Sequence, residues 1–311
     1  MNNFLNSVFH YESPQAGAIS DLFILVLIVC LIILMIVTAM VVSSLIRFRH
    51  KPGEPDPSPN HGNWKLETAW TVIPFIILIW LLTLTARGMK QSDPPANQKS
   101  DILVISHQWW WEAKYLNSGV TTANEIHFPV GVKWLLTLES ADVIHDFWVP
   151  RLAPKMDIVP GHPNHLWLEA DKPGSYLGTC SEFCGAQHAQ MHFLVIAQSA
   201  ADFEAWEKQQ QKPSIPLLTE SAQRGSRIFQ QMTCVNCHTV NGTAAKGQAA
   251  PDLTHFASRQ TLGAVLLANT PENLSRWLKN PQDIKPAILM PNLKLTDAQV
   301  GDLTAYLETL Q

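Results

Sequence analysis

The sequence predicts a membrane-anchored multidomain protein, in which a two-helix transmembrane hairpin is followed by an all-β module and then an all-α module. Three observations carry that reading. Two uncharged apolar runs lie before residue 90, residues 98–200 hold short β-branched and aromatic segments broken by Pro and Gly, and residues 217–311 return to helical periodicity. Composition agrees, because 15% of the 311 residues are charged, where soluble domains hold about 25%. A formal charge of −4 argues against a nucleic-acid binder, and the 46% apolar content excludes disorder. Five cysteines are too few for a disulfide scaffold of this length.

The first apolar run, 22–42, is 21 residues without a charge, long enough as a helix to cross a hydrocarbon core of about 30 Å. The second, 69–86, has 18 uncharged residues and contains Pro74, which a membrane helix tolerates where neighbours satisfy the freed carbonyl. Spans are expected at about 20–46 and 67–88 within an anchor of residues 1–95, with Trp64, Trp70 and Trp80 as interface anchors in the lipid. The first 20 residues lack Lys and Arg, whereas the 47–65 loop holds Arg47, Arg49, Lys51 and Lys65. By the positive-inside rule the loop is cytoplasmic, and both termini lie on the outer side of the bacterial cytoplasmic membrane. No basic n-region precedes a cleavage site, so the first span is expected to act as the export signal.

In the second module, 96–205, strands are expected at 102–106, 133–139, 143–149, 165–169 and 191–197, giving an antiparallel sandwich or barrel. This module holds 6 basic and 12 acidic residues, while residues 217–311 hold 8 and 7. Between them, 207–216 is polar and Pro-bearing, so a linker is expected over 206–218. Such a tether would keep the flanking modules at a high local concentration. In the C-terminal module, 219–311, Thr270, Pro271 and Glu272 give an N-cap, a first-turn proline and an early acid. Thr296 with Gln299 forms a capping box that opens a final helix.

Four of the five cysteines fall into two close pairs, each with histidine beside it. Cys30, in the first span, reads as an inert apolar residue. In Cys234-Val-Asn-Cys237-His238, two thiols can add to the two vinyl groups of a haem while the adjacent histidine reaches the iron. Met232 is too close in sequence to reach the other haem face. Met290, followed by Pro291, can arrive there on a returning loop, and a thioether ligand raises the potential as an electron carrier requires. His255 is the competing sixth ligand, and a redox dithiol or half a zinc site are the competing readings of the pair.

The other pair lies in Cys180-Ser-Glu-Phe-Cys184-Gly-Ala-Gln-His188-Ala-Gln-Met191, a soft ligand set suited to copper. A mononuclear site needs one thiolate, but two can bridge two copper ions, each then needing one histidine. His188 supplies one, and His145 is the candidate for the other. Met191 would be a weak ligand on one ion and the Glu182 carbonyl on the other. A structural disulfide and a zinc site stay open as alternatives.

The run from Tyr176-Leu-Gly-Thr-Cys180 to Met191 resembles the dinuclear-copper (CuA) motif of cytochrome c oxidase subunit II. Asp142-Val-Ile-His145 with Val149-Pro150, Gln108-Trp109-Trp110-Trp111, and the stretch from Trp64 to Pro74 match that family in order. The C-terminal module resembles the subgroup carrying a fused cytochrome c. The resemblance implies a cupredoxin-like Greek-key barrel with copper ligands His145, Cys180, Glu182, Cys184, His188 and Met191, and a cytochrome c domain with covalent haem c on Cys234, Cys237, His238 and Met290. It also implies that Glu182 faces a magnesium ion shared with the catalytic subunit. Glu67 would stand at a proton-channel entrance, and Trp109 would be where electrons enter from a docked cytochrome. His162 departs from the pattern, following Pro160-Gly161 where the family commonly has arginine. With haem in the same chain, the surface for an external donor is expected to shift toward residues 217–311.

The expected function is therefore that of an electron-input subunit of a haem-copper terminal oxidase. Electrons pass from an external cytochrome or small electron-transfer protein, through haem c and CuA, to subunit I and its companion subunits. Dioxygen reduction and proton translocation take place there, so no catalytic residue is expected in this chain. Two alternatives remain, an electron-delivery subunit of a CuA-type nitric oxide reductase and a membrane-tethered copper-binding module. A nitrous oxide reductase would need seven further histidines for its copper cluster, and only five of the twelve are left for it.

Overall fold

The structure, a computed structural model, describes residues 9–53, 59, 62–94, 98–213 and 219–311. Two helices, α1 (Pro14–Arg47) and α2 (Trp64–Ser92), are each long and apolar enough to cross a membrane, and both outrun the expected spans. Asn63 caps α2, its side chain accepting from the Lys65 and Leu66 amides. Glu67 lies in the first turn, where the helix dipole favours an acid. The hydroxyls of Thr71, Thr83 and Thr85 donate to carbonyls three or four residues back, so these polar groups are satisfied within the helix itself.

The strands that follow are β1 (Ile102–His107), β2 (Trp110–Tyr115), β3 (Thr121–Ala123), β4 (Glu125–Pro129), β5 (Trp134–Ser140), β6 (His145–Trp148), β7 (Met156–Ile158), β8 (Asn164–Leu168), β9 (Gly174–Cys180) and β10 (His192–Gln198). They form two sheets, in the orders β3-β2-β1-β5-β8 and β4-β10-β9-β6-β7. All five expected strands are present within two residues. β2, β3, β4, β7 and β9 were not anticipated. The expected purely antiparallel pattern is corrected at two places, where β1 pairs with β5 and β4 with β10 in parallel. After β3 the chain crosses to the second sheet as β4, so β5 returns beside β1 in the same direction instead of as a hairpin. Alternating side chains fill the interior, where Trp111 meets Phe193 at 4.9 Å and Phe147 at 5.8 Å between ring centres.

The expected linker is partly helical. α3 (Ala200–Gln210) starts at the Ser199 cap and presents Phe203 and Trp206, three apart, to the β-module. Trp206 stacks on His127 at 4.1 Å and lies 5.2 Å from Tyr115, while Phe203 lies 5.1 Å from Trp134. Aromatic burial on one face outweighs the polar composition of 207–210. Residues 214–218 of that stretch lie outside the described residues.

The C-terminal module contains α4 (Glu220–Gln231), α5 (Cys234–Cys237), the two-residue strands β11 (Thr261–Leu262) and β12 (Leu267–Ala268), α6 (Pro271–Lys279), α7 (Pro281–Ile284) and α8 (Asp297–Leu307). The Thr270 cap and the Thr296–Gln299 capping box are both formed. The β-module and the C-terminal module belong to one compact unit.

Helices α4 and α8 cross where a side chain is missing. A Cβ on Gly225 would lie 1.9 Å from the Asp302 carbonyl oxygen and 2.8 Å from the Tyr306 Cβ. Beside it, Arg224 grips the Asp302 carboxylate through Nε at 3.0 Å and a terminal nitrogen at 2.9 Å. Gly225→Ala is expected to destabilise the C-terminal module by about 3 kcal/mol, since the helices must separate and the gain in helix propensity is only about 1 kcal/mol. Denaturant unfolding of the two proteins measures this, and an equal midpoint would contradict the close crossing.

Candidate functional site

The first cluster sits at one end of the sandwich. β9 ends on Cys180, β10 begins on His192, and the loop between them closes where the Cys180 amide donates to the Met191 carbonyl at 3.0 Å. His145 enters from the start of β6, which pairs with β9. The Cys180 and Cys184 sulfurs lie 3.7 Å apart. Cys180 Sγ is 3.8 Å from His145 Nδ1 and 3.2 Å from the Glu182 carbonyl oxygen. Cys184 Sγ is 3.6 Å from His188 Nδ1 and 3.7 Å from Met191 Sδ. Thus His145 with the Glu182 carbonyl lies on the Cys180 side, and His188 with Met191 on the Cys184 side. All six expected donors converge, and the ligand atoms of His145, Cys180 and Cys184 fall within 4.8 Å of one another. The Glu182 side chain itself points to solvent.

Two thiols this close share one proton. Cys180 is drawn well below the ordinary thiol range, chiefly by the hydrogen bond from Cys184 and, against the cost of burial, by His145. Cys184 is pushed far above it by the same bond and by burial. His145 Nε2 donates to Asp142 Oδ1 at 2.7 Å, which turns Nδ1 toward the Cys180 sulfur. The other Asp142 oxygen accepts from the Gln108 amide at 2.6 Å. Two thiols, two imidazoles, a thioether and a carbonyl form a soft set that fits copper.

Trp109 reaches the same loop. Its indole N–H donates to the Cys184 carbonyl at 2.9 Å, and Gln108 Nε2 donates to that oxygen at 2.8 Å. The approach requires Gly185, whose φ is +111° and where a Cβ would stand 3.0 Å from the indole.

The second cluster is a cleft of about 540 Å³ in the C-terminal module. Cys234, Cys237, His238 and Met290 line it among leucines, and neither His255 nor Met232 does. The Cys234–Cys237 turn is held by the His238 amide donating to the Cys234 carbonyl. His238 Nδ1 donates to the Pro251 carbonyl at 2.7 Å, leaving Nε2 free. Burial pulls the His238 pKa below its ordinary value, which keeps the ring neutral as a ligand must be. Gln282 fixes the Met290 loop, its amide donating to the Met290 and Ile288 carbonyls at 2.7 and 2.9 Å. Volume, apolar lining and donors fit a covalently attached haem. Gln108, Trp109 and Trp110 of the β-module complete the wall of the cleft.

Glu67 is exposed in the first turn of α2. Sequence reasoning assigned no role to Asp142, Gln108, Gln282 or Lys285. Only Asp142, three residues before His145, carried a local signal.

Each of the three parts of the chain is similar to known proteins. The family described as cytochrome c oxidase subunit II, periplasmic domain, matches residues 118–198, its transmembrane domain matches 8–85, and cytochrome c matches 222–311. A cytochrome c oxidase subunit 2 of Alkalihalophilus pseudofirmus is 38% identical over 96% of this chain and 89% of its own. A quinol oxidase subunit 2 of Bacillus cereus is 34% identical over 69% of this chain and 76% of its own. The crystal structure of the periplasmic domain of subunit II from Bradyrhizobium japonicum is 29% identical, covering 37% of this chain and 96% of that one, with a TM-score of 0.35.

The sulfur geometry makes a direct prediction. In metal-free chain, mild oxidation is expected to join Cys180 to Cys184, with two thiols lost to titration and recovered by dithiothreitol. Retention of both thiols would contradict their packing.

Proposed function

Since the chain belongs to the cytochrome c oxidase subunit II family, we propose that it takes electrons from an external donor at its C-terminal cleft and passes them through the thiol cluster toward a catalytic partner. The chain is a membrane-anchored, electron-input subunit of a haem-copper oxidase, and it associates with the catalytic subunit and other oxidase subunits. Neither the nitric oxide reductase reading nor the copper-storage reading gains support.

In the finer reading, His145, Cys180, Cys184, His188, Met191 and the Glu182 carbonyl hold a dinuclear copper centre. Cys234 and Cys237 would hold a haem covalently, and His238 and Met290 would supply donors to its iron. Bound there, the two groups supply one-electron carriers. The chain's own residues fix their surroundings: Asp142 holds the His145 tautomer, Pro251 that of His238, and Gln282 the Met290 loop. Trp109 spans the gap, lining the cleft while bonding the Cys184 carbonyl. The exposed Glu182 carboxylate is available to a magnesium ion shared with the catalytic subunit. Glu67 is placed at a proton-channel entrance by family resemblance alone. The proposed domains are the anchor over 1–95, the cupredoxin module extended through α3 to Gln210, and the cytochrome c module over 219–311. The basic 47–65 loop supports placing both cofactor modules on the outer face of the cytoplasmic membrane, with Trp64 and Trp70 at the lipid interface.

The observation that carries this reading is the symmetric placement of one imidazole beside each of two sulfurs 3.7 Å apart. Low-temperature EPR of the copper-loaded chain, one electron short of full reduction, is expected to show seven hyperfine lines from one spin shared by two copper nuclei. Four lines, the signature of an isolated ion, would overturn it. Cys184→Ser is expected to abolish the seven-line signal while leaving the haem absorbance intact. Met290→Ala is expected to open the sixth iron position, so that ferrous haem binds carbon monoxide where the parent does not.

A further inference from the structure

A C-terminal module joined to a copper-binding module can exchange electrons by repeated encounter on a tether or from one fixed contact. The polar groups buried between the modules favour the second. Lys285, in the segment between α7 and Met290, is only 2% exposed. Its three ammonium protons meet three carbonyl oxygens, those of Trp109 at 3.0 Å, Gln190 at 2.9 Å and Gly263 at 3.1 Å. The first two belong to the β-module and the third to Lys285's own module. Trp109 is the residue bonded to the Cys184 carbonyl, and Gln190 immediately precedes Met191. One side chain therefore touches the frames of both cofactor sites.

A second contact runs the other way. Glu125 on β4, also 2% exposed, accepts through Oε1 from the Gln260 amide at 2.8 Å, the Thr261 amide at 3.0 Å and the Thr261 hydroxyl at 3.3 Å. Gln187 Nε2 donates to the Pro286 carbonyl at 2.5 Å, and Gln210 of α3 reaches the Ser258 hydroxyl at 3.1 Å. Burying a charge is costly unless its hydrogen bonds are complete, and both charges are satisfied only while the modules are docked. Separation would break five of their six hydrogen bonds, since the Lys285–Gly263 bond alone lies within one module. Long-range attraction contributes little, because the C-terminal module, with 8 basic and 7 acidic residues, is close to neutral.

We propose that Lys285 and Glu125 are positioning residues that form a reciprocal latch. Each is buried in the other module's backbone, and together they hold the haem cleft in one fixed position against Trp109 and the 180–191 loop. The inference rests on the electron-relay reading and adds that transfer inside the chain needs no docking search.

The test uses the full chain with both metals loaded, following haem-to-copper transfer after flash reduction of the haem. The parent rate is expected to stay constant as salt rises to about 1 M, where charges are screened beyond about 3 Å. Lys285→Met and Glu125→Ala are each expected to slow transfer by about tenfold, because the docked fraction falls. Haem absorbance and the copper EPR signal should be unchanged. Hydrogen exchange supplies a readout independent of electron transfer. Lys285→Met should accelerate exchange at the Gln260 and Thr261 amides, which Lys285 does not touch. If Lys285→Met fails to fold, Lys285→Gln and the parent salt series carry the same test. A parent rate that falls with salt, or variants with parental transfer and exchange, would overturn the latch while leaving the relay intact. No transfer in the parent would overturn the relay, and the latch with it.

Discussion

Two thiols whose sulfurs lie 3.7 Å apart in a protein interior cannot both ionise unless cations compensate them. Much of the water-facing structure serves that constraint. The sandwich holds Cys180 rigidly at the end of a strand, brings His145 from the neighbouring strand, and leaves Cys184, His188 and Met191 on a loop closed at its base. Without metal, the hydrogen bond between the thiols and the one from His145 hold the charge on Cys180.

Gln108, Trp109 and Asp142 carry the constraint outward. Asp142 orients His145 with one oxygen and holds the Gln108 amide with the other. Gln108 and Trp109 then both bond the Cys184 carbonyl. The wall of the haem cleft is thereby tied to the geometry of the sulfur pair through four hydrogen bonds. Lys285 and Glu125 extend that rigidity across the boundary between the modules. In α2 the hydroxyls of Thr71, Thr83 and Thr85 are satisfied along the helix itself.

Much of this was legible in the sequence because its signals are local. The spacing of Cys180, Cys184, His188 and Met191 lies within one loop, and Cys234, Cys237 and His238 within one turn. The caps at Thr270 and Thr296 read correctly because a cap depends only on residues two or three positions away. His145 and Met290 were found by asking what a nearly complete ligand set still lacked. The failures share a different cause. The parallel pairings depend on a chain crossing between sheets, which no local pattern encodes. The end of α3 from Trp206 looked like linker because Glu207-Lys-Gln-Gln210 is polar, whereas Phe203 and Trp206 decide its burial. Lys285 resembles any surface lysine until the fold surrounds it with carbonyls.

The wall that Gln108, Trp109 and Trp110 lend to the cleft has a consequence for how the protein matures. These residues leave the ribosome long before Cys234, so the wall can fold before the cleft it completes exists. A C-terminal fragment made alone would carry an apolar face that the intact chain keeps covered, and would be prone to self-association.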